Sequence, residues 1–300
     1  MRYNKLDLNL LVALDHLLNL RSVSAAAQRM HMTQSAMSNA LTRLRDYFGD
    51  ELLMKVGRRL EPTPRAEALK DAVRDVLVRV DWTIATQPQF DVAQSDRAFN
   101  LLVSDYTLAT LVPEILRRCR EAGATVKFNF LPQVSTPDRL LERGDLDLVI
   151  IPTDLASKRH PFEVVLEERF QVIVWSEGPF AGRKLSRKAF AQASHVAIAT
   201  PEGAQSLETL YFNRLDVSRR IAITTYSFAT MPALVAGTDR IATVHGRLAQ
   251  QAQRSHPLEI LDLPFKLPVM KQAVQWHAHR SHDAGLIWLR SLIREAASAI

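Results

Sequence analysis

The chain has 300 residues, 47% of them hydrophobic and 23% charged, and a formal net charge of +6 at pH 7. This length predicts about two or three domains, and the composition excludes wholesale disorder and collagen-like or low-complexity chains. The single cysteine, Cys119, excludes an internal disulfide, and the sequence lacks apolar runs of transmembrane length and a signal-peptide pattern. We therefore expect a cytoplasmic protein without a membrane partner.

Three short helices are predicted at the amino end. Asp7, Ser22 and Thr33 are suitable N-caps for them. In the third helix, polar and cationic residues occupy the face opposite the apolar one: Gln34, Ser35, Ser38, Asn39, Thr42, Arg43 and Arg45. Because amides, hydroxyls and arginines reach base edges and phosphates, this face and Thr33 indicate the DNA-contacting helix of a helix-turn-helix. The alternative is a solvated face on a plain helical bundle.

A strand, a basic turn and a returning strand are predicted between residues 52 and 60. Arg58 and Arg59 follow Gly57 at the tip of this wing, where arginines hold phosphate or enter a minor groove. Residues 1–65 contain ten Lys/Arg and six Asp/Glu, so they carry +4 of the net charge. The position of the charge favours DNA as the partner, although paired surface arginines are often only solvated.

A further helix is predicted from Thr63 and Pro64. Its apolar residues recur at alternating steps of three and four, as in a coiled coil: Ala66, Leu69, Val73, Val76 and Val80. An isolated helix of this length is marginal, so the pattern favours a dimerising helix over one that packs only on its own domain. Dimerisation suits DNA recognition, because two readers recognise a two-fold site.

Several segments carry a family resemblance: LDLNLLVAL, SVSAAAQRMHMTQSAMSNALTRLR and LEPTPRA, and later AFNLLVSD, RIATVHGRL and AVQWH. They resemble the LysR-type transcriptional regulators, in particular the NodD-like and NahR-like subgroup. Thr33, Gln34, Ser35 and Ser38 match the family's T-Q-(S/P)-A-(V/M)-S core, with Ser35 in place of the proline of many relatives. The resemblance implies an α+β multidomain chain. It would comprise a winged helix-turn-helix (1–62), a linker helix for dimerisation (63–90) and a two-lobed α/β effector domain similar to periplasmic binding proteins (91–300).

Beyond a linker at residues 87–95, alternating strands and helices predict parallel sheets. The strands are expected near 99–104, 125–130, 147–151, 170–175, 195–199, 221–225 and 240–244, and from residue 269. The helices are expected near 107–121, 137–143, 187–192, 204–215, 227–236, 247–253 and 284–297. The resemblance implies that the last segment returns to the first lobe, giving lobe I (96–166 and 268–300) and lobe II (167–267).

Ligands of open α/β sheets bind at the carboxyl ends of strands. The strand-to-helix junctions give these candidate effector contacts: Ser104, Asp105, Tyr106, Thr153, Thr200, Ser206 and Phe228. Ser, Thr and Asp in such places also serve simply as helix caps. The resemblance adds His245 and Arg247, the latter as a partner for a carboxylate or phenolate. It also adds Phe170, where a salicylate-sensing relative has His, as an apolar contact for a ring.

The resemblance implies a DNA-binding transcription activator, switched by a small aromatic inducer between the lobes. The subgroup senses flavonoids, salicylates and chlorinated phenols or hydroquinones. The family's promoter DNA, RNA polymerase and self-association as a dimer of dimers are the expected partners, with no cofactor and no catalysis. The alternatives are an effector-independent DNA-binding repressor and a hydrolase that uses Ser104, Asp105 and a histidine.

Two features of the sequence bear on these alternatives. The glycines form no GxGxxG, GxxxxGK or GxSxG motif, which argues against three common enzyme classes. His277, His279 and His282 raise the possibility of a metal site. Without an acidic or cysteine ligand at suitable spacing, the segment is better explained as a strand that leads into a helix.

Overall fold

The computed structural model describes residues 6–57, 59–85, 90–199 and 206–300. The chain divides into two compact units, an amino-terminal helical unit and a larger α/β unit, which are described separately. No helix in the described ranges is long and apolar enough to cross a membrane.

The amino-terminal unit begins with the helices α1 (Leu8–Leu20), α2 (Val23–Arg29) and α3 (Gln34–Phe48). Each begins at its predicted cap, because the side-chain oxygens of Asp7, Ser22 and Thr33 accept hydrogen bonds from backbone N–H groups three residues later. Leucines of α1 pack with Met37 and Leu44 of α3 in one core. The spacing of apolar residues thus determines which face of α3 remains outside.

A short antiparallel hairpin follows, formed by β1 (Leu53–Val56) and β2 (Arg59–Pro62). Gly57 opens its turn with φ +63°, a left-handed conformation that glycine adopts without steric cost. The hairpin is the wing predicted from the sequence. Arg58, predicted at its tip, lies outside the described residues.

The helix α4 (Pro64–Ala85) follows the wing, and Thr63 Oγ1 caps it by accepting from Ala66 N at 3.0 Å. The dimerising role of this helix stays a prediction, but part of its apolar seam packs within its own unit. Ala66 and Val73 are buried in the core of their own unit, and Leu69 packs against that core. Only the carboxyl-terminal part remains accessible, with Val76 42% exposed. The three-four spacing thus serves an intramolecular core over the amino-terminal part of the helix, where Ala66 and Val73 are buried.

The α/β unit contains two five-stranded sheets. Its strands are β3 (Ala98–Leu102), β4 (Lys127–Leu131), β5 (Leu148–Pro152), β6 (Phe162–Glu168), β7 (Phe170–Trp175), β8 (Ser194–Ile198), β9 (Arg220–Thr225), β10 (Arg240–His245), β11 (Leu258–Leu261) and β12 (Met270–Gln275). Its helices are α5 (Asp105–Thr110), α6 (Val112–Glu121), α7 (Pro137–Glu142), α8 (Arg187–Gln192), α9 (Leu207–Arg214), α10 (Met231–Val235), α11 (Gly246–Ala252) and α12 (Ala284–Ala297).

The strand order defines two lobes. Lobe I is the sheet β4-β3-β5-β12-β6 with the helices α5, α6, α7 and α12, and lobe II is the sheet β11-β7-β10-β8-β9 with α8 to α11. The last strand, β12, returns to lobe I between β5 and β6, as the resemblance implied. In the parallel part of lobe I, the strands β3 and β5 end at the edge where α5 begins.

The expectation of wholly parallel sheets was wrong. β12 runs antiparallel to β5 and β6, and β7 runs antiparallel to β10 and β11. β6 and β11 were also missed by the sequence analysis. Both are edge strands with partly exposed residues, so they lack the short apolar run that marks a buried strand.

Two predicted helices are shorter in the structure. The run expected over 107–121 is divided at Leu111, because Pro113 has no N–H to continue the hydrogen-bond ladder. The helix expected over 227–236 is reduced to Met231–Val235. Its first residues bond elsewhere, since Ser227 Oγ and Ala229 N donate to Asp105.

A buried cluster of charges stabilises lobe I. The Arg97 guanidinium donates to both Asp283 oxygens at 2.7 and 2.8 Å, and Arg280 lies 2.6 Å from Asp147. Asp147 also accepts from Asn100 N at 2.7 Å. Burial raises the pKa of the Asp283 carboxyl, but hydrogen bonds and charges of Arg97 and Arg280 outweigh burial and lower this pKa to about 2. The cluster therefore joins strand β3 to the start of α12.

Candidate DNA interface and effector site

The outer face of α3 presents exposed polar side chains: Thr33, Gln34, Ser35, Ser38, Asn39, Thr42 and Arg43. These are the predicted DNA contacts of this helix, except Arg45. Thr42 Oγ1 donates to Ser38 O at 3.1 Å, which fixes that hydroxyl against the helix backbone. Arg43 lies 3.3 Å from Asp7, and both side chains are more than half exposed. Such a pair contributes little to stability, so Arg43 remains available to another anion.

Arg45 differs from its neighbours on α3. Its guanidinium donates to Glu51 O at 2.8 Å and to Leu53 O at 3.0 Å, and it also pairs with the Glu51 carboxylate at 3.2 Å. The side chain thus joins α3 to the beginning of the wing. Sequence spacing alone did not distinguish this structural role from contact with DNA.

A concave surface of about 590 Å³ lies between the start of α3 and the wing. Gln34 of the helix and Arg59 of the wing both line it, together with Ser22 and Ser24. Arg59 is exposed. One surface therefore combines an amide suited to base edges with a cation suited to phosphate.

In the α/β unit, two of the predicted effector contacts, Tyr106 and Arg247, meet at one buried carboxylate. Glu168, at the end of β6, is 4% exposed. Its Oε2 accepts from the Tyr106 hydroxyl at 2.5 Å and from Arg247 Nη1 at 3.1 Å. Burial and the charge of Glu168 raise the pKa of the Tyr106 phenol well above its usual value, so this hydroxyl stays protonated and donates.

The Arg247 guanidinium is also held by backbone oxygens. It donates to Glu167 O at 2.8 Å and to Ile300 O at 3.2 Å. Arg247 comes from α11 of lobe II, whereas Glu168 and Tyr106 belong to lobe I. The predicted anion-binding arginine therefore forms a bridge between the lobes in this structure.

Aromatic rings surround His245 at the carboxyl end of β10. The imidazole stacks on Tyr106 with ring centres 4.0 Å apart, and the rings of Phe228 and Phe170 are centred at 4.8 and 5.0 Å. Burial lowers the pKa of His245 to about 3, so the ring is neutral at physiological pH. Its Nδ1 is buried with no hydrogen-bond partner among the described residues. The structure brings together four of the predicted effector contacts here.

Two further pairs join the lobes. Asp105 at the start of α5 accepts from Ser227 Oγ at 2.7 Å and from Ala229 N at 3.0 Å. Tyr211 of α9 donates to Asp154 Oδ2 at 3.2 Å. Burial and the charge of Asp154 raise the pKa of Tyr211 to about 12. Side chains of both lobes thus converge on the same edge of the sheets.

The remaining candidate contacts have local roles or lie elsewhere. Ser104 caps α5 and Ser206 caps α9, each by accepting a backbone N–H. Thr153 begins a short 3₁₀ turn after β5 and is half-buried. Thr200 lies outside the described residues. Capping accounts for both serines without a ligand, which was the alternative that the sequence analysis left open.

Sequence reasoning missed Glu168, Tyr211 and Gln272. Gln272 is buried on β12, and its Nε2 donates to Thr107 Oγ1 at 2.6 Å. Glu168 ends a strand that was not predicted, so no pattern distinguished it from its exposed neighbour Glu167. A useful signal would have been a carboxylate adjoining the predicted aromatic contact Phe170.

The histidines near the carboxyl end do not form a metal site in the described parts of the chain, where no three His, Cys, Asp or Glu residues are placed to hold an ion. His277 Nδ1 instead accepts from His279 N at 3.2 Å and caps a short 3₁₀ turn. The ring of His277 also packs on that of His160 at 4.8 Å. The segment thus consists of a strand, a turn and a helix, as expected.

Comparison with known families gives two matches that together span most of the chain. The family described as "Bacterial regulatory helix-turn-helix protein, lysR family" matches residues 8–67, and "LysR substrate binding domain" matches residues 93–298. The chain belongs to the LysR family. It is therefore a DNA-binding transcriptional regulator with an effector-binding domain.

Among its relatives in this family are two nodulation proteins. Nodulation protein D 1 of Sinorhizobium fredii is 40% identical over 302 residues, covering 100% of this chain and 94% of that protein. Nodulation protein D 1 of Mesorhizobium japonicum is 38% identical over 299 residues, covering 99% of this chain and 95% of that protein. The similarity therefore extends over both units and is not confined to the helix-turn-helix.

Solved structures confirm the LysR fold. A probable transcriptional regulator from Pseudomonas aeruginosa is 23% identical, with a TM-score of 0.66 and coverage of 97% of both chains. A full-length OxyR variant from the same organism is 16% identical, with a TM-score of 0.69 and coverage of 97% of this chain and 94% of that one. Both likenesses include the winged amino-terminal unit and the two-sheet unit.

Proposed function

We propose that the chain is a transcription activator whose operator binding is modulated by a small aromatic inducer, phenolic, chlorinated or flavonoid-like, held between lobes I and II. The ring cluster around His245 carries this proposal. Three aromatic side chains from both lobes lie within 5.0 Å of one neutral imidazole, ring centre to ring centre. Such a cluster favours a flat aromatic ligand, which stacks on or replaces these contacts.

Coupling between ligand and DNA follows from the bridges between the lobes. Asp105 with Ser227, and Tyr211 with Asp154, hold the lobes together in this structure. A ligand that inserts among these groups binds one arrangement of the lobes more tightly than another and thereby shifts the population. The response is a conformational equilibrium and needs no catalysis.

For the DNA side, we propose that the exposed face of α3 reads base edges in a major groove and that Arg59 contacts phosphate. Arg58 shares the latter role in this proposal, and Arg45 positions the wing. We further propose domains at 1–62, 63–90 and 91–300, a dimer of dimers paired through α4, and contact with RNA polymerase at the promoter. The exposure of Val76 supports pairing through the end of α4.

The inducer proposal is tested with the full-length chain by calorimetry against a panel of phenols, hydroquinones and flavonoids. DNase footprints on the regulator's own promoter region are recorded with and without each compound. We expect at least one compound to bind and to change the footprint. Flat calorimetry and unchanged footprints across the panel would support the alternative, an effector-independent DNA-binding repressor.

A further inference from the structure

The charge of the effector site is set by a small number of buried groups. Arg247 is the cation predicted to bind an anionic ligand. It already forms an ion pair with Glu168, whose Oε2 lies 3.1 Å from Arg247 Nη1. The Glu168 side chain is 4% exposed and that of Arg247 is 28% exposed. At this depth a carboxylate and a guanidinium neutralise each other, and a second carboxylate brought to Arg247 meets the charge of Glu168 at close range.

Glu168 is held firmly in this position. Besides Tyr106 and Arg247, it accepts from Arg169 N at 2.9 Å through Oε1. Gly246 permits the approach, because a Cβ at that position would lie 3.2 Å from Glu168 Oε1 and 3.3 Å from Arg169 O. Backbone and side chain therefore fix the carboxylate at the place where an anionic ligand would need to bind.

The surrounding groups do not supply another positive charge in place of that of Arg247, which Glu168 neutralises. Asp105 and Asp154 bring further carboxylates to the junction of the lobes. His245 and Gln272 are buried and uncharged, and each has a ring nitrogen or amide oxygen without a partner among the described residues. Arg214 lies 6.0 Å from the Tyr211 ring centre, but its own side chain is exposed. Among the described residues, the site therefore offers hydrogen bonds to hydroxyl groups but no buried cation without a partner.

We propose that Glu168 determines the charge class of the inducer: by occupying Arg247 it makes the site select an uncharged, hydroxyl-bearing aromatic compound and reject aromatic carboxylates. This rests on the proposed aromatic-inducer function and specifies which members of that class bind. It also replaces the expectation that Arg247 holds the ligand's own carboxylate or phenolate.

The test compares two probes that share a ring and a phenol and differ in one charge, 4-hydroxybenzamide and 4-hydroxybenzoate. Glu168→Gln keeps the shape of the side chain and an acceptor for Tyr106 while it releases Arg247. Calorimetry on the full-length chain measures both probes against the wild type and this variant. Glu177→Gln, which removes a carboxylate from an exposed turn, is the matched control.

We expect Glu168→Gln to bind 4-hydroxybenzoate about tenfold or more tightly than the wild type does, as a charge-assisted hydrogen bond to a released guanidinium would provide. Affinity for 4-hydroxybenzamide should change far less. Adding Arg247→Gln to the Glu168→Gln chain should abolish the gain. If Glu168 had only a structural role, the substitution would change the affinity for both probes by a similar factor.

Two results would overturn the proposal: a wild type that binds the benzoate at least as tightly as the benzamide, or a Glu168→Gln chain with no gain for the benzoate. Unchanged operator binding and an unfolding midpoint near that of the wild type show that the variant is folded. If it is not, Glu168→Asp, which keeps the charge, must restore folding and the wild-type preference. This test is independent of the inducer panel described above. It measures affinity for the benzoate and needs no change in the operator footprint, so either test can fail without the other.

Discussion

The DNA-reading face and the effector site differ in how their polar groups are occupied. On α3, the candidate contacts lie within ten residues of each other, point outward and have few partners in the protein. At the junction of the lobes, Tyr106, Glu168 and Arg247 come from distant parts of the sequence and bond to one another. A surface that meets a polyanion needs no rearrangement, whereas a buried site must exchange internal bonds for those of its ligand.

Substitutions in the two regions should therefore act on different quantities. Changes on the exposed face alter binding and leave stability nearly intact, because solvated side chains contribute little to folding. Changes among the buried polar groups alter stability and ligand response together.

The largest effect is expected in lobe I. Asp147→Asn removes a buried charge that faces Arg280 and Arg97, leaving those guanidinium groups undercompensated. We expect a loss of about 3–5 kcal/mol in the free energy of unfolding, measured by urea denaturation. Arg117→Ala, which breaks exposed pairs on α6, is the control and should cost far less, because solvent screens such pairs. Equal losses in the two variants would show that the buried cluster contributes no more to stability than exposed ion pairs do.

The pH dependence of stability should report on His245. The unfolded imidazole takes up a proton as the pH falls below its ordinary pKa of 6.5, whereas the folded one stays neutral down to about 3. The contribution of His245 to the free energy of unfolding is therefore fully present above pH 6.5. It is lost as the pH falls towards 3, by at most about 1.4 kcal/mol per pH unit. His245→Asn should reduce this slope between pH 6.5 and 4 in urea denaturation. An unchanged slope would contradict the buried neutral imidazole.

On the exposed face, Gln34→Ala should weaken binding to the specific operator by about 1–3 kcal/mol and leave binding to unrelated DNA unchanged. Arg59→Ala should weaken binding to all sequences and lower the slope of log affinity against log salt by about 1. Fluorescence anisotropy over a salt series distinguishes the two. Operator affinity unaffected by either change would remove α3 and the wing from the interface.

Tyr106→Phe should have the smallest effect. It removes one of three hydrogen bonds to Glu168, while Arg247 and Arg169 N still satisfy the carboxylate. We expect a loss of about 1–2 kcal/mol in the free energy of unfolding. Operator affinity measured at the same time should stay at the wild-type value. A fall in operator affinity without ligand would mean that this bond already sets the arrangement of the lobes.

The exposed face of α3 and the buried effector site also differ in how far the sequence predicts them. Caps such as Thr33 and the stripe containing Met37 and Leu44 act within one helix, so local spacing was enough to find α3 and its outer face. For α4 the spacing found the helix and its apolar seam, but it did not show that Ala66 and Val73 pack in the core of their own unit, because an apolar stripe does not specify its partner. Glu168 was missed for a related reason, since burial of a carboxylate depends on contacts with residues far away in the chain.

Within the effector domain, the junctions after β3 and β10 were predicted, because a general rule for α/β sheets places ligands there. The rule does not say which residues meet. That Tyr106 stacks on His245 and bonds Glu168 depends on the antiparallel return of β12 and on the edge strand β6, and neither follows from alternation of strands and helices.

The place of β12 has a consequence for how the chain is made. Within the described sheet, β6 is joined to its neighbours only through β12, which comes after the whole of lobe II in the chain. A ribosome therefore releases a complete, contiguous lobe II sheet while that of lobe I still lacks its inner strand. Lobe II can fold first during synthesis, whereas β6 has no strand to pair with, and β5 has only β3 beside it, until β12 emerges.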